Sequence, residues 1–207
     1  MLRFDDDDRR LRLGVHDLLA LGPREGDLRL DVPWSSRARL TAGRETHQAY
    51  QRDQQPHYVA ELTVRHRLSV RGWEVLLTGR MDGMIAEGET WFVEEIKSTT
   101  LPASRLKTVT PQAFPSALRQ LQLYLHFMTA GSVGGSGAAV LRGRQGRGRL
   151  VLISLVDGTR HALHVDPDPN LPDWLETRLD EVVRQREDRL AWQASRRQVP
   201  VPFAHDS

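Results

Sequence analysis

Apolar positions along the chain switch between helical and alternating spacings, and those switches outline the fold. The acidic opening "MLRFDDDDRR" shows neither spacing and reads as a loose segment over residues 1–10. "GVHDLLALG" then puts leucines on one helical face, starting near His16 or Asp17 and stopped by Gly22-Pro23. "WSSRARLTAGRETHQAYQRD" predicts a polar helix capped by Ser35 or Ser36 and running to about Arg52. Three alternating runs rich in β-branched residues follow: "YVAELTVRHRLSV", "WEVLLTGRMDGMIAEG" and "TWFVEEIKST". They predict a meander of antiparallel strands.

"LPASRLKTVTPQAFP" reads as a proline-punctuated loop. In "SALRQLQLYLHFMTAG", Leu118, Leu121, Leu125 and Met128 fall at i, i+3, i+7 and i+10, one buried helical stripe that "GSVGGSG" ends. "AAVLRGRQGRGRLVLISLVDG" predicts two strands around a Gly/Arg turn. "LPDWLETRLDEVVRQREDRLAWQASRRQ" predicts a long amphipathic helix with Leu175, Leu179, Val182 and Val183 on its apolar face. Helix, strands, helix, strands, helix is the order of an α/β sandwich, with a central mixed β-sheet flanked by helices. One domain is expected over 11–193, with 194–207 as a tail.

Composition narrows the chemistry. The 207 residues suffice for one buried core. No apolar run approaches the ~20 residues of a membrane span, and the opening is no secretory signal, so no membrane partner and a cytoplasmic location are expected. The chain has no cysteine, which rules out disulfides, thiol nucleophiles, zinc–thiolate sites and iron–sulfur clusters. Any metal must be held by oxygen and histidine. Net charge is only +2, although Arg142, Arg144, Arg147 and Arg149 cluster in "LRGRQGRGRL". That cluster is either a solvated turn or a set of phosphate contacts.

Lysine is rare here: Lys97 and Lys107 are the only two among 29 basic residues. On a strand, Glu95 and Lys97 project to one side, while Glu94 and Ile96 face the other. The preceding strand carries Asp82 between Gly79 and Gly83, roughly opposite Glu95 and Lys97. Two converging carboxylates suit Mg²⁺ or Mn²⁺. A lysine can shift its pKa for proton transfer, as arginine cannot. E-x-K alone favours an ordinary surface ion pair; the G-R-x-D before it reverses that preference.

Taken in succession, "TGRMDGMI", "VEEIKST" and "RQLQLYL" resemble the motifs of the PD-(D/E)xK nuclease superfamily, in its RecB-like branch. The positions that match its aspartate, E-x-K and Q-x-x-x-Y are Asp82, Glu95, Lys97, Gln120 and Tyr124. "GRETHQAYQ" is similar to the branch's N-terminal helix segment, and His47 matches its histidine. The resemblance implies a restriction-endonuclease-like fold and a metal held by His47, Asp82, Glu95 and the Ile96 carbonyl, with Lys97 beside the attacking water. Gln120 would position the backbone or support Lys97, and Tyr124 would face the strand. Glu61 is read as surface or outer support.

The implied activity is Mg²⁺- or Mn²⁺-dependent hydrolysis of DNA, single-stranded or branched, in repair or recombination. The chain departs from many RecB-like nucleases in lacking the four cysteines of their iron–sulfur cluster. "WQASRRQVPVPFAHDS" resembles the segment that leads from such a nuclease into a DinG-like helicase, so a helicase domain or subunit is an expected partner. Two rivals stand beside this reading: a DNA-binding accessory module that does not cut, and a plain α/β domain with a surface Glu–Lys pair.

Overall fold

A long bent hairpin dominates the architecture. The computed structural model describes residues 2–21, 36–54, 58–131 and 145–197. One arm of the hairpin is β3 (Tyr58–Ala60) and β4 (Thr63–Val70); the other is β5 (Trp73–Arg80) and β6 (Gly83–Glu87). One antiparallel register runs through both halves, with Ala60 opposite Gly83 and Thr63 opposite Arg80. Bonds from the Glu61 N–H to the Asp82 carbonyl and from the Met81 N–H to the Leu62 carbonyl carry the ladder round the bend. Glu61 reaches it with φ at 54°, and Met81 turns fully inward. At the tip, Arg71 and Gly72 both take positive φ, the geometry a two-residue hairpin turn requires.

The bend divides the strands between two mixed sheets. The first has the order β1-β2-β5-β4, where β1 (Arg3–Asp5) runs antiparallel to β2 (Arg10–Gly14) and β2 parallel to β5. The second has the order β3-β6-β7-β8-β9, adding β7 (Thr90–Thr99), β8 (Gln145–Ser154) and β9 (Arg160–Val165). The predicted meander forms, each run antiparallel to the next, but its first hairpin is divided between two sheets. An alternating pattern continues through Glu61-Leu62 and Met81-Asp82 without marking the corner.

The acidic opening is ordered, not loose. Phe4 of β1 packs edge-on against Trp73 at 5.7 Å. Asp6 accepts two guanidinium bonds from Arg186, and Arg9 meets Glu187 at 2.5 Å. Both partners lie on the long helix, so the hairpin is pinned from outside its own sequence.

Among the described residues, five helices flank the sheets. They are α1 (Val15–Ala20), α2 (Ser36–Asp53), α3 (Ala103–Leu106), α4 (Pro115–Thr129) and α5 (Leu171–Arg197). α3 and a 3₁₀ turn at Pro111–Ala113 replace the expected plain loop. The predicted face of α5, with Leu175, Leu179, Val182 and Val183, is buried. α4 is buried more widely than a stripe: Ala117, Leu123, Tyr124 and Phe127 join Leu121, Leu125 and Met128, while Leu118 sits at the edge.

The alternation of β7 sorts its neighbours. Trp91 and Val93 join the main core, which includes α4, whereas Phe92 and Ile96 join a smaller cluster with Tyr50 of α2. The Gly/Arg run is not the turn between β8 and β9; from Gln145 it is already strand, and the turn comes at Leu155–Thr159. Gly146 lies opposite Trp91, whose ring would stand 2.1 Å from any Cβ placed there. Glycine is needed for that close approach. Gly22, Pro23, Ser35, Arg142, Arg144, nearly all of "GSVGGSG" and the tail from residue 198 lie outside the described residues. Among the described residues, no helix is long and apolar enough to cross a membrane.

Candidate active site at the hairpin bend

β6 pairs with β7 only as far as Gly83 opposite Glu94. Asp82, the residue before β6, stands at the bend rather than within a strand. There it extends the ladder with its side chain: Oδ2 accepts the Ile96 N–H at 2.7 Å. The N–H and C=O of one strand residue point to the same side, so the Ile96 carbonyl faces the same edge.

Glu95 and Lys97 project together on the α4 side, as alternation requires. Glu95 Oε1 lies 3.0 Å from Lys97 Nζ, and Oε2 accepts a bond from Gln120 Nε2 at 2.8 Å. The pair is not the ordinary surface one: the Glu95 side chain is 2% exposed and that of Lys97 30%. A buried carboxylate must be paired and bonded to stay ionised, and Lys97 and Gln120 together meet that need. Gln120 Nε2 also stands 3.4 Å from the Tyr124 hydroxyl, which donates to the Arg80 carbonyl at 3.0 Å.

Gln120 thus supports Glu95 and not Lys97. Tyr124 is fully buried, so it does not face a bound strand. Its ring occupies the space beside Gly79, where a Cβ would lie 2.6 Å away. Gly83 likewise makes room for Tyr58, at 1.8 Å. Both glycines accommodate tyrosines and do not leave open space beside Asp82. Glu61 is exposed and pairs with Arg80 at 3.4 Å.

α2 meets the site with one face. Gly43, His47, Tyr50 and Gln51 fall at i, i+4, i+7 and i+8. A Cβ on Gly43 would lie 2.7 Å from Ser98 Oγ on β7. Tyr50 donates its hydroxyl proton to Glu94 at 2.9 Å, and Gln51 Nε2 donates to the Asp82 carbonyl at 2.8 Å. His47 lies within that face. Burial lowers its pKa most; the Asp82 charge acts against this and the Lys97 charge adds to it. Burial thus favours the neutral imidazole, the form that ligates metals.

Glu94 points away from Glu95, as predicted, into a buried cluster. It accepts bonds from Tyr50 and, at 3.0 Å, from Arg149, which stacks over Phe92 and also pairs with Glu87. Burial raises the Glu94 pKa, with the Tyr50 and Arg149 bonds opposing. Arg147 pairs with Asp166. Arg149 is therefore ion-paired within the fold, whereas Arg147 stays exposed in a surface pair; both stand on strand β8 and not in a turn.

Sequence reading missed two neighbours. Gln51 sits one helical turn from His47, and only that spacing could have flagged it. His16 on α1 senses both key charges: its pKa is lowered by desolvation and by Lys97, with Asp82 opposing. Its signal in the sequence was no stronger than that of the other seven histidines.

The donor types here, carboxylate oxygens, an imidazole and a backbone carbonyl, suit a hard divalent cation. As they lie, no three His, Asp or Glu side chains among the described residues converge to hold one. Glu95 is engaged by Lys97 and Gln120 instead.

No family model matches the chain, and no curated protein matches its sequence. Among solved structures it is similar to SSO0001, at 14% identity and a TM-score of 0.49, over 86% of this chain and 78% of that one. It is also similar to LHK-Exo in complex with dAMP, at 14% identity and a TM-score of 0.44, over 79% and 75% of the two chains. Neither likeness is close enough to bear on function, so the functional reading rests on the site.

Proposed function

We propose that this chain is a divalent-metal-dependent nuclease that hydrolyses phosphodiester bonds in DNA, with single-stranded or branched forms preferred. The observation behind this reading is the meeting of Asp82 with the Ile96 N–H, at 2.7 Å, beside a buried Glu95 paired with Lys97 at 3.0 Å. Structural ion pairs need no second carboxylate at the same strand edge.

Asp82, Glu95, His47 and the Ile96 carbonyl would hold Mg²⁺ or Mn²⁺. Such an ion, when bound, supplies Lewis acidity toward a phosphoryl oxygen and lowers the pKa of water. Lys97 Nζ, a partly exposed cation beside Glu95, would stand next to the attacking water and could exchange a proton with it. Gln120 holds Glu95, and Tyr124 holds both Gln120 and the Arg80 carbonyl that precedes the bend.

One observation favours a second reading, a DNA-binding module that supports a helicase without cutting: the three side-chain ligands do not converge as they lie. End-labelled linear and circular single-stranded DNA, incubated with Mn²⁺ and purified protein, separates the two. The nuclease reading expects cleavage that Asp82→Ala and Lys97→Ala abolish. Binding without cleavage supports the accessory module, and cleavage undiminished in both variants removes the proposed site.

A further inference from the structure

We propose that Tyr50 and Gln51 are positioning residues, a two-point clamp that fixes α2 against the β7 edge and thereby sets His47 against Asp82. The inference rests on the metal-dependent reading of the site. It comes from what the clamp grips. Gln51 Nε2 bonds the backbone carbonyl of Asp82 itself, at 2.8 Å, so it locks the bend that carries the carboxylate. Tyr50 bonds Glu94, at 2.9 Å, the residue immediately before Glu95. One grip thus holds each of the two carboxylate-bearing segments, and both start from one helix face.

That face also carries His47, three residues before Tyr50, and Gly43, whose lack of a side chain lets the helix approach Ser98. Glu94 is fixed in turn by Arg149, so the Tyr50 anchor is itself rigid. The bonds of the two clamp residues run to Glu94 and to the Asp82 backbone rather than to the Glu95–Lys97 pair. Their effect on chemistry passes through the spacing of His47, Asp82 and β7, the role of outer partners that orient metal ligands.

The test uses the full chain with Tyr50→Phe, Gln51→Met and Asp82→Ala, and Mn²⁺ as the probe. Both clamp variants keep side-chain bulk and remove the hydrogen-bonding group. Calorimetric titration should show Mn²⁺ binding weakened about tenfold or more in each. Hydrogen exchange should quicken in α2 alone. Excess Mn²⁺ should restore cleavage with the KM for DNA unchanged, which a general loss of structure would not allow.

If Asp82→Ala loses Mn²⁺ while both clamp variants bind it like the parent and keep α2 protected, the clamp is refuted and the metal reading stands. If Asp82→Ala binds Mn²⁺ like the parent, the metal reading is wrong and the clamp falls with it.

Discussion

The carboxylate of Asp82 accepts the backbone N–H of Ile96 at 2.7 Å, so a side chain completes the ladder where strand β6 has not yet begun. One residue thus has two tasks, closing a strand edge and presenting a charge there. Substitution can separate them. Asp82→Asn retains an acceptor for Ile96 and should melt close to the parent, yet lose Mn²⁺-dependent cleavage. Asp82→Ala should lose cleavage and also about 1.5–3 kcal/mol of stability, since an N–H bond to a charged acceptor is removed. Urea denaturation beside a cleavage assay reads both tasks.

Gln120 and Tyr124 should differ in what they affect. Gln120→Leu leaves Glu95 Oε2 without its donor in a side chain that is 2% exposed. The expected cost is about 1–3 kcal/mol, together with weaker Mn²⁺ binding. Tyr124→Phe removes only the bond to the Arg80 carbonyl and the weak contact with Gln120. It should cost about 1 kcal/mol and leave the KM for DNA unchanged, because the ring is fully buried. A rise in KM would restore a strand-facing role for Tyr124.

Much of this site was legible because strand alternation is rigid. It placed Glu95 with Lys97 and turned Glu94 away, and the helix spacing of Gln120 and Tyr124 put both on the face that meets β7. The bend was not legible, since no residue at Met81-Asp82 or Glu61-Leu62 breaks the alternating pattern. The burial of Arg149 was equally hidden: its partners Glu94 and Glu87 are long-range contacts across the second sheet. The ordering of residues 3–5 depends on Trp73 and Arg186, distant in the chain, and so left no local sign.

Gly146→Ala tests the corrected reading of the Gly/Arg run. A Cβ there would stand 2.1 Å from the Trp91 ring, which is itself held under the sheet in the main core. Overpacking of that kind should cost about 3 kcal/mol. Gly88→Ala meets nothing within 4 Å, so its cost should come only from its positive φ. Chemical denaturation of the two variants should rank Gly146→Ala as the more damaging. Equal losses would return the run to a solvated turn.

Stability should fall with acidity before the carboxylates titrate. His66 stacks on Phe127 at 4.7 Å and lies edge-on to His126 at 5.4 Å. Burial lowers both histidine pKa values, and His126 presses His66 further down. In the unfolded chain both return to about 6.5, so that state takes up protons first as the pH falls. Their contribution is full above about pH 6.5 and is lost as pH drops from there through the folded values. Buried Glu94 works in the opposite sense, because its pKa is raised. The informative comparison is therefore the parent with a His66→Gln, His126→Gln double variant: urea midpoints between pH 7 and 5.5 should fall less in the double variant.

Lys97→Arg tests why lysine stands here in a chain that otherwise prefers arginine. Arginine keeps the positive charge and can still pair with Glu95, so DNA affinity and folding should be retained. A guanidinium, however, stays protonated at any working pH, and it replaces a compact ammonium with a planar fork. If Lys97 exchanges a proton with water during cleavage, the loss should be about 10²–10⁴-fold in kcat with little change in KM. Lys97→Met should lose as much activity and also destabilise the fold, since Glu95 Oε1 gives up its ammonium while Gln120 still holds Oε2. A fully active Lys97→Arg would reduce the residue to a fixed cation. Its role would then be to neutralise Glu95 and attract phosphate, and the proton-transfer role would be discarded.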